Sequence, residues 1–417
     1  MAPIKKRTIT MKKNKKVLFA VAVLFIFSMY GSNFFTQQEV MGEKLPGLKK
    51  TKQILPRFFK KGPYLQNVTQ HGIVIMWETN KPADSRVDYG LTNSYGQYVY
   101  DPTPVTIHEI KISGLDTETV YHYRVSSNSL MSNDYLFKTA PNKQTPFRFA
   151  VWGDNRTPTS SDMPKYLVDC ISVLRPDLVI STGDVVSKGS EYKRWGKEYF
   201  TPIRDLATYT PTYIAIGNHE EESHWFNDFV CQPGNEHYFS FNYGNSHFIV
   251  LDSNQPYNPG SDQYEWLTKD LLSDACKEAT FCFVFFHHPP YSKHWGGDYR
   301  IRKYIVPLIE KNKVDICFSG HVHDYERGHS LDPNRHIYYV ITGGGGAPLS
   351  DKDIMVNWPN IDIYRPLLYN FCMIEVKKNN LYFRAYSVIS IDDTRKYCPL
   401  QGKVIDQFTI TKNFSDK

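Results

Sequence analysis

The 417-residue chain carries 49 basic and 43 acidic side chains, but its formal charge of +6 is local, because residues 1–16 hold seven Lys or Arg and no acid. Without that tail 42 basic residues face 43 acidic ones, so the rest has no overall basic bias to attract nucleic acid, and none is expected as a partner. A hydrophobic content of 41% with 22% charged residues describes a globular chain with room for two ordinary domains.

After the basic tail (1–16), Val17 to Tyr30 is apolar except for Ser28. As a helix, residues 17–35 would span about 28 Å, close to a bilayer core. A cleaved signal peptide shares the charged start and apolar middle, but Met29 and Tyr30 sit poorly for a small-residue cleavage site. The segment therefore reads as a signal anchor or signal peptide. Either way the lysines stay in the cytoplasm and the remainder is extracytoplasmic, held at the membrane or secreted. Seven cysteines form no C-x-x-C; Cys170, Cys282 and Cys317 lie in apolar runs and read as small core residues.

Residues 36–60 show no sustained period and read as a linker. From about 61 to 141 short alternating strands follow: Ile73–Trp77, Ser85–Gly90, Thr106–Ile112 and Val120–Val125. Strands at this spacing argue for a β-sandwich. Its histidines, His71, His108 and His122, are scattered and carry no evident chemistry. Residues 140–146, with prolines near both ends, form a second break.

From 146 to about 413 apolar strands alternate with amphipathic helices, an α/β pattern. Phe147–Trp152 runs into Gly153-Asp154-Asn155-Arg156. A helix near 162–174 has Leu167, Cys170, Ile171 and Leu174 on one face. Leu178–Thr182 ends at Gly183-Asp184, and Tyr213–Ile216 at Gly217-Asn218-His219-Glu220. Phe248–Asp252 and a helix around 262–275 precede Phe281–Phe286, which ends at His287-His288-Pro289-Pro290. One helix carrying Ile301, Ile305, Leu308 and Ile309 leads to Val314–Ser319 and then Gly320-His321-Val322-His323-Asp324-Tyr325-Glu326-Arg327. Ile337–Thr342 precedes four glycines, and more strands follow to about Thr411. Five strands thus end in Asp, Asp, Asn-His, His-His and His-x-His. Strand carboxyl ends are where α/β sheets place ligand sites, and glycine lets the chain approach a bound ion.

These blocks in this order resemble the metallophosphoesterase superfamily. With a sandwich of immunoglobulin or fibronectin type III type in front, marked by Leu115, Tyr121 and Tyr123, they resemble the purple acid phosphatases most. The resemblance implies an α/β (α+β) catalytic domain of four layers, two packed β-sheets flanked by helices. It implies two metal ions (Fe, Zn or Mn), a choice that mixed oxygen and imidazole donors also favour over calcium. Asp154 and His323 would hold the first ion, Asp184 would bridge, and Asn218, His287 and His321 would hold the second. His219 would contact the phosphate and His294 would protonate the leaving group, with His288 standing behind the ligands. The implied activity is hydrolysis of a phosphorylated small molecule or other monoester by attack of hydroxide bound to the metal pair. Phosphodiester hydrolysis, or a surface-binding protein with a degenerate metal site, are the alternatives.

Two departures stand out. The family's tyrosine three residues after the bridging aspartate is Ser187 here. Gly153-Asp154-Asn155-Arg156 also lacks both the family's usual glycine and the Asp-x-His of other metallophosphoesterases, so the first ion has one ligand fewer than either pattern provides; water, Asn155 or Ser187 are the available substitutes, and a weak site is the other outcome. Arg156, in the mouth, is suited to gripping a substrate phosphate. Glu326 and Arg327 are expected to pair with each other below the site.

Overall fold

The computed structural model describes residues 58–157, 162–350, 355–388 and 402–413; the basic tail, the apolar segment and nearly all of the expected linker lie outside them. The first strands are β1 (Phe59–Gln66), β2 (Gly72–Gly90), β3 (Gln97–Ser113), β4 (Val120–Ser127), β5 (Leu130–Met131) and β6 (Tyr135–Lys138). Ile73–Trp77 and Ser85–Gly90, expected as separate strands, are two parts of β2. Its register with β3 shifts on either side of Ala83, next to Pro82, which has no N–H for the ladder. The first part of β2 pairs with β1 and the second with β4, so one long bent strand serves both halves of the sandwich. Buried Trp77 donates from Nε1 to Ser127 Oγ at 2.9 Å and stacks on His108 at 4.8 Å. Tyr121 Oη accepts from the Asp116 N–H at 3.0 Å, the corner that Leu115 and Tyr121 suggested.

Nine further strands follow: β7 (Phe147–Trp152), β8 (Leu178–Ser181), β9 (Thr212–Ile214), β10 (Phe239–Tyr243), β11 (Ser246–Val250), β12 (Phe281–Phe285), β13 (Ile316–Ser319), β14 (Tyr325–His329) and β15 (Tyr338–Thr342). The chain closes with β16 (Ile361–Arg365), β17 (Tyr369–Lys377), β18 (Asn380–Val388) and β19 (Lys403–Thr411). They form two mixed sheets, ordered β19-β18-β17-β7-β8-β9 and β10-β11-β12-β13-β15-β14-β16. The sheets meet through an aromatic core in which the Phe149 ring lies 5.2 Å from Phe248 and 5.0 Å from Phe283. Each such fully buried ring contributes on the order of 2 kcal/mol, which fixes the two sheets against each other.

Helices cover the outer faces. Met163–Val173 buries Leu167, Val168, Cys170 and Ile171, as its spacing predicts. The helix expected over 262–275 is two, Asp262–Leu271 and Asp274–Glu278, because Ser273 caps the second by accepting from Cys276 N. The stretch holding Ile301 and Ile309 is also two helices, Tyr299–Tyr304 and Val306–Lys311. Pro307, lacking an N–H, sits in the first turn of the second, where its missing donor is tolerated, whereas it would break a continuous helix. Strand β10 was not legible, since its outward Ser240 and Asn242 dilute a short pattern. The sandwich is tied to the α/β part by Tyr64 Oη, which donates to Phe229 O at 2.9 Å, and by Tyr123 Oη, which donates to Thr208 O at 2.8 Å.

Strands β7, β8 and β9 run parallel, as do β11, β12 and β13. The carboxyl ends of β7, β8 and β9 from one sheet therefore meet those of β12 and β13 from the other.

Candidate metal centre

The loops leaving those ends are built for close approach. Asp154, Asp184 and His321 all sit in the left-handed region, at φ +58°, +52° and +67°, where a residue with a Cβ carries roughly 1–3 kcal/mol of strain. A Cβ added to Gly217 would overlap the Asp184 carboxylate, and one added to Gly320 would overlap that of Asp154. Glycine is thus required beside both acids.

Four side-chain atoms converge. Asn218 Oδ1 lies 3.1 Å from His287 Nε2 and 3.1 Å from His321 Nδ1. His287 Nε2 lies 3.3 Å from His321 Nδ1 and 3.3 Å from Asp184 Oδ1. His287 Nδ1 donates to the Thr182 carbonyl at 2.8 Å, so in the neutral ring Nε2 turns its lone pair inward. Donors bonded to one ion at about 2.1 Å stand about 3.0–3.4 Å apart in octahedral or tetrahedral arrangements, which is the spacing seen here. These four residues fit a metal ion. His288 stands next to them: its Nδ1 shares a 2.8 Å hydrogen bond with Ser253 Oγ, and its ring is 4.5 Å from that of His321.

The protonation preferences match a cation site. Burial would raise the Asp184 carboxyl, but His287, His219 and Arg156 hold it far below the usual carboxylate range. Burial would lower His287, yet Asp184 lifts it to about 9. Burial and then the neighbouring imidazoles push His321 down to about 2 and His288 to about 3. The anionic oxygen of Asp184 and the neutral rings of His321 and His288 thus face one point, while His287 holds a proton beside Asp184 that a bound ion would displace.

Two buried acids hold the loops, and neither was given a role from sequence. Glu220 accepts from Gly217 N at 2.7 Å, Val185 N at 2.8 Å, Asp184 N at 2.9 Å and Val186 N at 3.3 Å, stitching the β8 loop to the β9 loop. Glu198 accepts from Ser187 N and Oγ at 2.6 and 3.0 Å and from Arg194 at 2.8 Å. The signal for it was an acid set among Trp195, Tyr199 and Phe200. For Glu220 it was the last position of the Gly-Asn-His-Glu block.

The first-ion position is different. Asp154 accepts from the His321 N–H at 3.0 Å on both oxygens, and its Oδ1 lies 3.5 Å from His323 Nε2. The Arg156 side chain folds into this position: Nε donates to Asp184 Oδ2 at 3.1 Å and Nη2 to His323 Nε2 at 3.4 Å. Of the two side chains suggested as substitutes, Ser187 commits its hydroxyl to Glu198. Asn155 Nδ2 donates to the Val185 and Glu198 carbonyls at 3.0 and 3.1 Å, while its Oδ1 is buried with no hydrogen-bond partner among the described residues. An ion here would compete with a guanidinium for Asp184 Oδ2 and His323 Nε2, so the residues as placed do not fit one.

His219 donates its backbone N–H to Asp184 Oδ1 at 2.9 Å and Nδ1–H to the Ser187 carbonyl at 2.9 Å. Its Nε2 is left 3.9 Å from Asp184 Oδ2, one layer out from the ligand atoms. His294 lies in the loop after β12, where its backbone N–H donates to Glu326 at 3.4 Å. Its neighbour Trp295 touches the candidate ligands, with its ring 4.5 Å from that of His321. Glu326 and Arg327 do not pair, since adjacent strand residues point to opposite faces. Glu326 accepts from Ser292 Oγ and Lys293 N, both at 2.8 Å, and from His294 N at 3.4 Å. Arg327 donates to Asp406 at 2.6 Å and Asp362 at 3.1 Å.

Residues 147–325 match the calcineurin-like phosphoesterase family. Purple acid phosphatase 21 of Arabidopsis thaliana is 31% identical over 279 residues, 61% of this chain and 62% of that protein. The chain thus spans somewhat less than two thirds of that relative. Purple acid phosphatase 18 of the same plant is 30% identical over 324 residues, 68% of this chain and 71% of that one. The solved purple acid phosphatase from yellow lupin (Lupinus luteus) seeds shares the fold, with a TM-score of 0.73 at 20% identity over 85% of this chain and 74% of that one.

Proposed function

Since this chain belongs to the calcineurin-like metallophosphoesterases, with the purple acid phosphatases as relatives, we propose that it is a metal-dependent hydrolase of phosphate monoesters working outside the cytoplasm. The observation that carries the reading is the set Asp184, Asn218, His287 and His321, whose ligand atoms stand 3.1–3.3 Å from their neighbours. When bound, a divalent ion supplies positive charge beside the ester and makes water nucleophilic at neutral pH. Fe, Zn and Mn all suit this oxygen and nitrogen donor set.

The chain's own residues do the rest. His219 keeps Nδ1–H on the Ser187 carbonyl and presents Nε2 to a phosphoryl oxygen beside Asp184. Arg156 adds fixed positive charge on the same side. Glu326 holds the backbone of the loop bearing His294, from which that imidazole delivers a proton to the departing alcohol. Phosphoryl transfer goes directly to water, without a phosphorylated side chain. The basic tail and the apolar residues 17–35 support a location beyond the membrane, tethered or released.

The test is hydrolysis of an aryl phosphate monoester and the matching diester, in wild type and Asp184→Asn. A monoester preference in kcat/KM, lost in the variant, supports the reading. A diester preference moves the protein to the phosphodiesterases of the same chemistry. No hydrolysis of either ester would leave a binding protein.

A further inference from the structure

Taking the phosphoesterase reading as premise, the family pattern places the first of two ions among Asp154, Asp184 and His323, where this chain puts a guanidinium. We propose that the centre works with one metal ion, and that Arg156 permanently supplies the positive charge of the other.

The placement is a clamp. The Arg156 backbone N–H donates to Asp184 O at 3.2 Å, and two residues earlier Asp154 N donates to Gly183 O at 2.9 Å. Both bonds fix the origin of the side chain against the β8 loop. From there the side chain, only 18% exposed, reaches Asp184 Oδ2 with Nε and His323 Nε2 with Nη2. The His323 ring is held by Nδ1, which donates to the Pro348 carbonyl at 2.6 Å, and its Nε2 faces Arg156 Nη2 at 3.4 Å and Asp154 Oδ1 at 3.5 Å. The two bonded atoms are the inward-facing atoms that an ion would take. An ion within bonding distance of them would touch the guanidinium, two cations with no anion between. Arginine stays charged at every relevant pH and does not yield by losing a proton.

The surrounding residues agree. The tyrosine that would add a ligand is Ser187, committed to Glu198. The charge is met differently as well. Asp184 is bonded on Oδ2 to Arg156 while Oδ1 faces His287, so one carboxylate bridges a guanidinium and the remaining ion position. Arginine has five N–H donors. Two serve Asp184 and His323, and others on the same plane are suited to a phosphoryl oxygen, which a guanidinium grips in fixed geometry. Arg156 is then both the second cation and a substrate clamp.

Purified full-length protein is stripped with a chelator and titrated with Zn2+ by calorimetry, with bound metal counted by mass spectrometry. The expected result is one ion per wild-type chain and two in Arg156→Gly. With Mn2+, the wild type should give the spin-resonance signal of an isolated ion, and the variant the broadened signal of a coupled pair. Two tightly bound ions in the wild type would overturn the proposal, as would a variant that folds and still binds only one. Arg156→Gln, neutral and similar in size, replaces the glycine variant if that one fails to fold, and the wild-type count is decisive by itself. A wild type that binds no ion would instead overturn the phosphoesterase reading beneath the proposal.

Discussion

Replacing Glu220 by Gln tests how the ligand loops are held. Oε2 receives Gly217 N and Asp184 N at 2.7 and 2.9 Å, and Oε1 receives Val185 N and Val186 N at 2.8 and 3.3 Å, all at a fully buried carboxylate. Glutamine keeps the volume and one carbonyl oxygen, but puts an NH2 group against one pair of N–H donors. Two buried N–H groups that lose a charged acceptor cost roughly 1.5–3 kcal/mol each before relaxation, so a loss of about 3 kcal/mol is expected. Asp184 and Asn218 flank these bonds, so metal affinity should fall about 10–100-fold, as for other groups that orient ligands. Urea unfolding and Zn2+ calorimetry read the two effects. A variant with an unchanged unfolding midpoint and affinity within twofold of wild type would refute this account of the loops.

In the sandwich, burial holds His108 down to about 4, between Thr79 Oγ1 and Ser85 Oγ at 2.8 Å each. The unfolded chain then binds the proton more readily. Its contribution is complete above about pH 6.5 and is lost as pH falls to about 4, by at most about 3 kcal/mol; urea midpoints from pH 7.5 to 4.5 should slope less in His108→Gln. His294→Ala should lower kcat about 10²–10⁴-fold for alkyl phosphates, and much less for p-nitrophenyl phosphate, whose leaving group needs no proton. Glu326→Gln should show the same leaving-group bias more weakly, because it loosens the loop without removing the acid. Gly320→Ala places a methyl against Asp154 and 2.7 Å from Thr182 Oγ1; overpacking of about 1–3 kcal/mol should appear as a lower melting temperature and weaker metal binding.

The candidate ligands were legible because metal chemistry restricts residue type, and a strand end restricts place. Asp184, Asn218, His287 and His321 satisfy both, and the structure brings their donor atoms together. Residues acting through hydrogen bonds to the main chain left less trace, since a buried acid such as Glu198 becomes intelligible only once its N–H partners are folded around it. Arg156 shows a third kind of limit. The sequence marks an arginine where glycine is usual, but only the fold shows that its side chain turns inward to Asp184 and His323 rather than outward to substrate. The break in the helix at Pro307 and the continuity of β2 past Pro82 form a similar contrast. The same missing N–H ends a helix that depends on it and merely shifts the register of a strand paired on both sides.

The most direct measurement follows p-nitrophenyl phosphate hydrolysis by the full-length protein as metal is removed and restored, alongside His287→Ala. The account predicts that activity vanishes on chelation, returns with Zn2+, Mn2+ or Fe2+ in proportion to metal bound, and does not return in the variant. Hydrolysis that survives complete metal removal, or an unimpaired His287→Ala, would contradict it.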